Sequence, residues 1–263
     1  VTLKNISKKT LQVEFLDGMP QVIPYGVDLS SMKMMGQTVK AWMQVQNVEE
    51  KVPFYSVRAS LEDSAVVKEV KGGHFYFTMT EKGELLPAIV DSEVVFMQNT
   101  SLTRPLGFIT KDRAAFLSEK QICQNALPCG FFSGRMTLKP GETYTFYSLI
   151  GQVENKMQLK KFQSKVTGSS YFENKYQEAK ALTEEICKVI ETKTASQVFD
   201  AYCKQTYLDN VLRGGMPLKL GEENIYHVYS RKHGDTERDY NFFSMSPEFY
   251  SQGNANFRDV NQN

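Results

Sequence analysis

The sequence is poor in most of the features that would announce a function class. It has one tryptophan and three histidines in 263 residues, no Cys-x-x-Cys pair among its four cysteines, and no apolar run of the 18 to 20 residues a membrane span needs. Lys+Arg number 31 against 30 Asp+Glu, for a net charge of +1, so no basic stretch is available to track a phosphate backbone and nucleic acid is not an expected partner. Val1 to Lys9 lacks the charged-then-apolar order of a secretion signal. There is no G-x-S-x-G elbow, no Walker loop and no dinucleotide fingerprint, and the glycine pairs Gly72-Gly73 and Gly214-Gly215 read as turns. These absences predict a cytoplasmic protein without membrane contact, metal or organic cofactor. Cys187 and Cys203 fall on helical pattern, where a buried free thiol is the ordinary expectation.

What is present is globular: 41% of residues are hydrophobic and 12% aromatic, enough for one large domain or two smaller ones. Residues 1–152 read as strands. Val1 and Leu3, then Leu11, Val13 and Phe15, alternate with polar neighbours, the period-2 mark of a half-buried sheet. Phe75, Phe77 and Met79 alternate ahead of a turn at Glu81-Lys82-Gly83-Glu84. Met136 and Leu138, then Tyr144 and Phe146, flank Lys139-Pro140-Gly141-Glu142, where Pro-Gly fits the central positions of a type II turn. Many short strands with little helical period predict an antiparallel β-sandwich.

Residues 153–194 change period and read as a helical linker. A lysine-rich stretch near Glu154 to Lys165 carries Met157, Leu159 and Phe162 on one side. Ser170 and Glu173 are spaced as a capping box, after which Phe172, Tyr176, Ala179, Leu182, Ile186 and Ile190 recur every three or four residues. That apolar stripe is expected to pack against another domain. Within 195–263 a further helix is expected from a Ser196 cap through Phe199, Tyr202 and Leu208 to Leu212, ended by Gly214-Gly215. From Met216 onward no period is evident, and tyrosine, arginine, aspartate and asparagine become dense.

Two polar clusters in that last segment are the candidate sites. Tyr229 to Asn241 holds three positive and three negative side chains, with His233. Arg231, His233 and Asp235 could together donate to and accept from vicinal sugar hydroxyls, although a solvated, salt-bridged loop would have the same composition. His227, His233 and Asp235 match no metal-ligand spacing. Trp42 reads as core, and His74 as a structural histidine. Tyr250 to Asn263 concentrates Gln252, Asn254, Asn256, Arg258, Asp259, Asn261 and Gln262 around a glycine, more hydrogen-bonding capacity than a turn needs. Asn5-Ile6-Ser7 and Asn99-Thr100-Ser101 match the glycosylation tripeptide but signify little without secretion.

The segment Phe257-Arg-Asp-Val-Asn-Gln-Asn263 resembles the F-R-D-x-N-Q-D motif of inverting glycoside phosphorylases of the cellobiose phosphorylase type, and Phe199-Asp-Ala-Tyr-Cys-Lys-Gln205 through Arg213 is similar to that family's first barrel helix. Asp17-Gly18-Met19-Pro20, Ile23-Pro24-Tyr25-Gly26, Pro53-Phe54-Tyr55 and Asp63 look more like the long branch acting on 1,2-β-glucan oligosaccharides. The resemblance implies a galactose-mutarotase-like supersandwich at 1–152, a linker at 153–194 and, at 195–263, the truncated start of an (α/α) six-hairpin barrel. It further implies an oligosaccharide substrate, inorganic phosphate as co-substrate, release of a sugar 1-phosphate with inversion, and a homodimer through the β-sandwich. By position in the motif, Arg258, Asp259, Gln262 and Asn263 would bind the non-reducing-end sugar, and the general acid would lie beyond residue 263. Asn263 departs from the family's aspartate: an amide still hydrogen-bonds a hydroxyl but brings no charge. A glycosidase on the same barrel, or a non-catalytic carbohydrate-binding or scaffolding region of a larger glycan synthase, remain open alternatives.

Overall fold

The computed structural model describes residues 1–27, 29–61, 65–66, 68–210, 216–220, 224–229 and 246–247. The chain divides into two compact units, Val1–Glu173 and Asn174–Asn263. The first contains β1 (Thr2–Lys4), β2 (Leu11–Met19), α1 (Leu29–Met35), β3 (Met43–Gln46), β4 (Phe54–Val57), β5 (Gly73–Thr80), β6 (Ala88–Ile89), three short helices α2 (Ser92–Phe96), α3 (Leu106–Thr110) and α4 (Arg113–Ser118), then β7 (Gly130–Leu138), β8 (Thr143–Val153) and α5 (Lys156–Gln163). A long helix α6 (Ser169–Cys187) runs from the first unit into the second, which also holds α7 (Gln197–Asn210), β9 (Met216–Leu220), β10 (Asn224–Tyr229) and β11 (Ser246–Pro247).

Strands of the first unit form two antiparallel sheets, one in the order β1-β8-β5-β4-β3 and one in the order β2-β7-β6. The alternation at Leu11–Phe15, Phe75–Met79, Met136–Leu138 and Tyr144–Phe146 falls on strands, as read from sequence. Pro140-Gly141 forms the anticipated turn: Gly141 has φ +81°, and the Glu142 N–H donates to the Lys139 carbonyl at 3.0 Å. The strands on either side of it do not pair with each other. β7 belongs to the three-stranded sheet and β8 to the five-stranded one, so the turn is a corner between sheets.

One core joins the two sheets. Tyr76 of β5 meets Phe132 of β7 edge-on at 4.8 Å, and Phe15 of β2 stacks on Phe146 of β8 at 4.5 Å. Phe15 can lie flat here because its cross-strand neighbour is Gly134, where a Cβ would sit 2.1 Å from the ring. The polar residues facing this interior are satisfied: the Ser148 hydroxyl donates to Asp17 at 3.2 Å and lies 2.9 Å from the Thr78 hydroxyl. The opposite face of the five-stranded sheet, carrying Phe75, Phe77, Met79 and Leu149, is covered by Leu159 and Phe162 of α5 and by Tyr171 and Phe172 at the start of α6. Phe75 and Phe162 lie 5.2 Å apart, and Phe172 stacks on Tyr147 at 4.0 Å. α5, placed in a linker by its lysines, is thus part of the first unit's core through Leu159. β5 is consequently buried on both faces, which explains why Tyr76, Thr78 and Thr80 are as enclosed as Phe75, Phe77 and Met79.

A second cluster lies on the outer face of the three-stranded sheet, where Ile89 and Phe131 pack beneath Val94, Val95 and Phe96 of α2 and Phe116 of α4. Asp112 and Asp91 open their helices by accepting the Ala115 and Glu93 amides, both at 2.9 Å.

Three features of the helices differ from the sequence reading. α6 begins at Ser169, so Ser170 lies inside the first turn and not at the cap; the preceding Gly168 has φ +121°, and a Cβ there would stand 2.7 Å from the Glu81 carbonyl. The apolar stripe is covered unevenly: Phe172, Ile186 and Ile190 are half-buried, whereas Tyr176 and Leu182 are 59% and 58% exposed. Cys187 and Cys203 are half-buried, while the enclosed thiol is Cys129 in the first unit; all four cysteines are free. In the second unit Ser196 caps α7 as expected, its hydroxyl accepting the Phe199 amide at 3.3 Å. The Asp200 carboxylate accepts the Thr194 amide at 3.0 Å, which holds its pKa below the usual aspartate value. Met216 onward, where no period was read, contains the antiparallel sheet β11-β10-β9. Among the described residues, no helix is long and apolar enough to cross a membrane.

Tyr55 tests the inter-sheet core. Its hydroxyl donates to the Cys129 carbonyl at 3.1 Å, and burial, followed by the nearby Cys129, Tyr76 and Cys123, pushes its pKa well up. Tyr55→Phe is expected to cost about 1 to 3 kcal/mol at neutral pH, by stranding a buried carbonyl. Because the folded pKa is raised, Tyr55 lowers stability as pH rises above the unfolded tyrosine pKa of about 10, and the phenylalanine variant escapes that loss. Urea unfolding at neutral and alkaline pH should therefore show the gap between the two proteins narrowing above about pH 10.

Candidate functional site

The residues singled out from sequence as sugar ligands, Arg231, His233, Asp235, Arg258, Asp259, Gln262 and Asn263, lie outside the described residues, as does Asp63. Of the other residues singled out, His74 is on β5, its Nδ1 3.1 Å from the Ile23 carbonyl and its ring edge-on to Tyr25 at 5.6 Å, which gives it a packing role. Trp42 is half-buried at the end of a 3₁₀ turn and not in the core. The Asn5 side chain is enclosed, donating to the Lys9 and Leu138 carbonyls at 2.8 and 2.9 Å.

The first unit offers a cleft of its own. About 660 Å³ in volume, it opens beside β3 and β4 and is lined by Gln44, Gln46, Arg58, Glu69, Lys71 and Asn155, with Phe54 contributing an aromatic wall. Met43-Gln44-Val45-Gln46 generates half of it: the strand buries Met43 and Val45 and turns both glutamines to the other face. The Gln44 amide is oriented by a 3.2 Å bond to the Ser56 hydroxyl. Arg58 is anchored by hydrogen bonds to the Ala41 carbonyl and to Asn125 Oδ1, the latter at 2.6 Å. Asn155 stands at the rim as the cap of α5, accepting the Gln158 amide at 2.9 Å.

Amide, guanidinium, ammonium and carboxylate groups around one opening can donate to and accept from a polyhydroxylated ligand. They supply no evident reaction centre. Burial drives the Cys129 thiol far up from its usual range, with Asp91 adding to the effect, so it stays protonated and is no nucleophile. Asp91 itself is committed to structure, its two oxygens accepting the Glu93 and Ile122 amides at 2.9 and 2.7 Å. No group of three or more histidine, cysteine, aspartate or glutamate side chains that could hold a metal occurs among the described residues.

A second cleft of about 400 Å³, by Asp91 and α2, is bordered by Met97, Leu102 and Asn125. These three residues have positive φ, at 52°, 55° and 60° respectively. The Leu102 N–H donates to the Asn99 carbonyl at 3.2 Å, so the local turn accounts for part of that backbone geometry.

Comparison with known proteins adds no relative: the chain matches no family model and no curated protein. The cleft by β3 was not singled out in the sequence. The alternation of glutamine with buried residues at 43–46 was its one available signal, while Glu69, Lys71 and Asn155 reach it only through the fold.

Asn155 allows the cleft's rim to be tested separately from its ligand. Asn155→Ala should destabilise the first unit by about 0.5 to 2 kcal/mol through loss of the α5 cap, whereas Asn155→Asp should retain most of that stability. Equal losses for the two variants in urea unfolding would show that the cap is not what the side chain contributes.

Proposed function

We propose that the chain is the N-terminal part of an inverting glycoside phosphorylase acting on β-linked glucan oligosaccharides. The observation that carries this reading is the segment Phe257–Asn263, following α7 in the order that the family's motifs take. Two antiparallel sheets with a common core and two long helices, in that sequence, support it. On this reading residues 1–152 are a supersandwich, 153–194 a helical linker and 195–263 the opening of an (α/α) barrel that continues further. The protein is cytoplasmic and needs no cofactor.

In the proposed reaction a carboxylic acid protonates the leaving glycosidic oxygen while inorganic phosphate attacks the anomeric carbon from the opposite face. The carbon–oxygen bond to the leaving sugar breaks, a bond to phosphate forms, and configuration inverts; phosphate is the nucleophile, so no base is needed to activate water. Arg258 and Asp259 hold hydroxyls of the sugar that becomes the 1-phosphate, with Gln262 and Asn263 beside them. Arg231, His233 and Asp235 belong to the same sugar-binding surface.

The 263-residue chain should release no sugar 1-phosphate from β-glucan oligosaccharides and phosphate, whereas the protein extended through its barrel should do so. In that longer protein Asp259→Asn should lower kcat/KM about tenfold to a hundredfold or more with no change in Tm, the range expected for a charge-assisted hydrogen bond of about 1.5 to 3 kcal/mol. Turnover by the shorter chain would refute the placement of the acid, and unchanged efficiency would refute the role of Asp259.

The polar cleft beside β3 favours a second reading, a carbohydrate-binding role for the first unit without catalysis. Titrating the 263-residue chain with β-glucan oligosaccharides while monitoring amide shifts should then perturb residues at Gln44, Gln46 and Arg58, and Arg58→Ala should weaken binding about tenfold or more, as loss of a charged hydrogen bond does. Absence of shifts at millimolar sugar would remove this reading.

A further inference from the structure

We propose that the cleft beside β3 selects an acidic sugar, taking the carboxylate of a hexuronate at Arg58 and its hydroxyls at the surrounding amides. The inference rests on the carbohydrate-binding reading of this cleft and adds the charge of the ligand.

The cations at this opening are uncompensated. Arg58 spends its Nη2 on two neutral oxygens, the Ala41 carbonyl and Asn125 Oδ1. Its Nε and Nη1 make no hydrogen bond among the described residues, and no carboxylate there pairs with it. The two anchors fix where the guanidinium sits without cancelling its charge, so a long side chain is already ordered before a ligand arrives. Lys71 and Lys156, on the same lining, also lack an ion-pair partner among the described residues.

α5 adds to the field. The eight-residue helix begins at the rim, with Asn155 and Lys156 on the lining, and brings there the partial positive charge of a helix N-terminus. The Asn155 side chain accepts the Gln158 amide, which leaves the Lys156 and Met157 amides of the first turn without an intrahelical acceptor.

Two carboxylates share the lining, and they set how much charge the ligand can carry. Glu154 is turned onto α5, its Oε2 accepting from Gln158 Nε2 at 3.0 Å. Glu69 is exposed and has no hydrogen-bond or ion-pair partner among the described residues. Arg58, Lys71 and Lys156 against Glu69 and Glu154 leave the lining at a formal +1, the complement of a single carboxylate. A phosphate group, with a charge of about −1.5 to −2, would meet the same two acids with up to about twice the repulsion.

The remaining groups ask for hydroxyls. The Gln44 amide, oriented by Ser56, and the Gln46 amide on the same face of β3 can each donate and accept, and Glu69 can accept. A simple carboxylate would leave these groups unused. A neutral sugar would leave the Arg58 charge unanswered. A hexuronate satisfies both, because it carries a carboxylate where glucose has a hydroxymethyl group.

Titration of the 263-residue chain at low ionic strength, followed by the amide shifts of Gln44, Gln46 and Arg58, should compare methyl β-glucuronide with methyl β-glucoside, acetate and inorganic phosphate. The glucuronide should bind at least about tenfold tighter than the glucoside or acetate, and that advantage should shrink as salt is added. Glucuronamide, which keeps the shape and loses the charge, should bind no better than the glucoside, and Arg58→Gln should lose the preference for glucuronide over glucoside. If that variant does not fold, the glucuronamide comparison on the parent chain decides alone. Equal binding of glucuronide and glucoside overturns this inference and leaves the carbohydrate-binding reading standing, whereas no shift with any sugar removes both. Acetate binding as well as the glucuronide, or phosphate binding tighter, also overturns it, since the cleft would then be a general anion site.

Discussion

Burial of β5 on both faces is the constraint around which the first unit is arranged. A strand with Phe75, Phe77 and Met79 on one side and Tyr76, Thr78 and Thr80 on the other needs two covering layers. The three-stranded sheet supplies one, through Phe132 and Phe15, and α5 with the start of α6 supplies the other. Phe77, wholly enclosed, contributes on the order of 1.5 to 3 kcal/mol by its removal from water. Satisfied hydroxyls at Thr78 and Ser148 let the tyrosine-and-threonine face be buried without stranding a polar group. The β3 cleft follows from the same arrangement, because it is lined by residues from β3, β4 and the end of α5 where these layers meet.

The sequence was readable wherever a local rule determined the outcome. Period-2 alternation located β2, β5, β7 and β8, the Pro140-Gly141 turn formed as its residues demand, and Ser196 capped α7. What could not be read is what one element does to another. Nothing local indicates that Pro140-Gly141 joins different sheets, or that lysine-rich α5 closes a core through Leu159. Ser170 had the spacing of a cap, yet the start of α6 is set from a distance by the close approach of Gly168 to Glu81. Met216, Leu218 and Leu220 do alternate, but over five residues that include a proline, which weakens the pattern of β9.

For the candidate sites the division is similar. A short motif, Phe257–Asn263, carried the functional reading because its residue types are chemically specific and contiguous. The β3 cleft was hidden because its members come from positions 44 to 156 and only Gln44 and Gln46 share a local pattern. Charge density at Arg231 to Asp239 marked a polar segment and could not by itself separate a ligand surface from a solvated loop.

The pairing of β1 and β2 with strands near the end of the first unit bears on how quickly that unit can assemble. Thr2 meets Thr145 across a separation of 143 residues, and Asp17 meets Ser148 across 131. Closing such distances must be paid for in chain entropy before any contact is gained, so neither sheet is complete until almost the whole unit is present. During vectorial synthesis the first strands emerge long before their partners. The β2 strand, without lysine or proline, would meanwhile be open on both sides, the condition under which unfinished chains associate as their concentration rises.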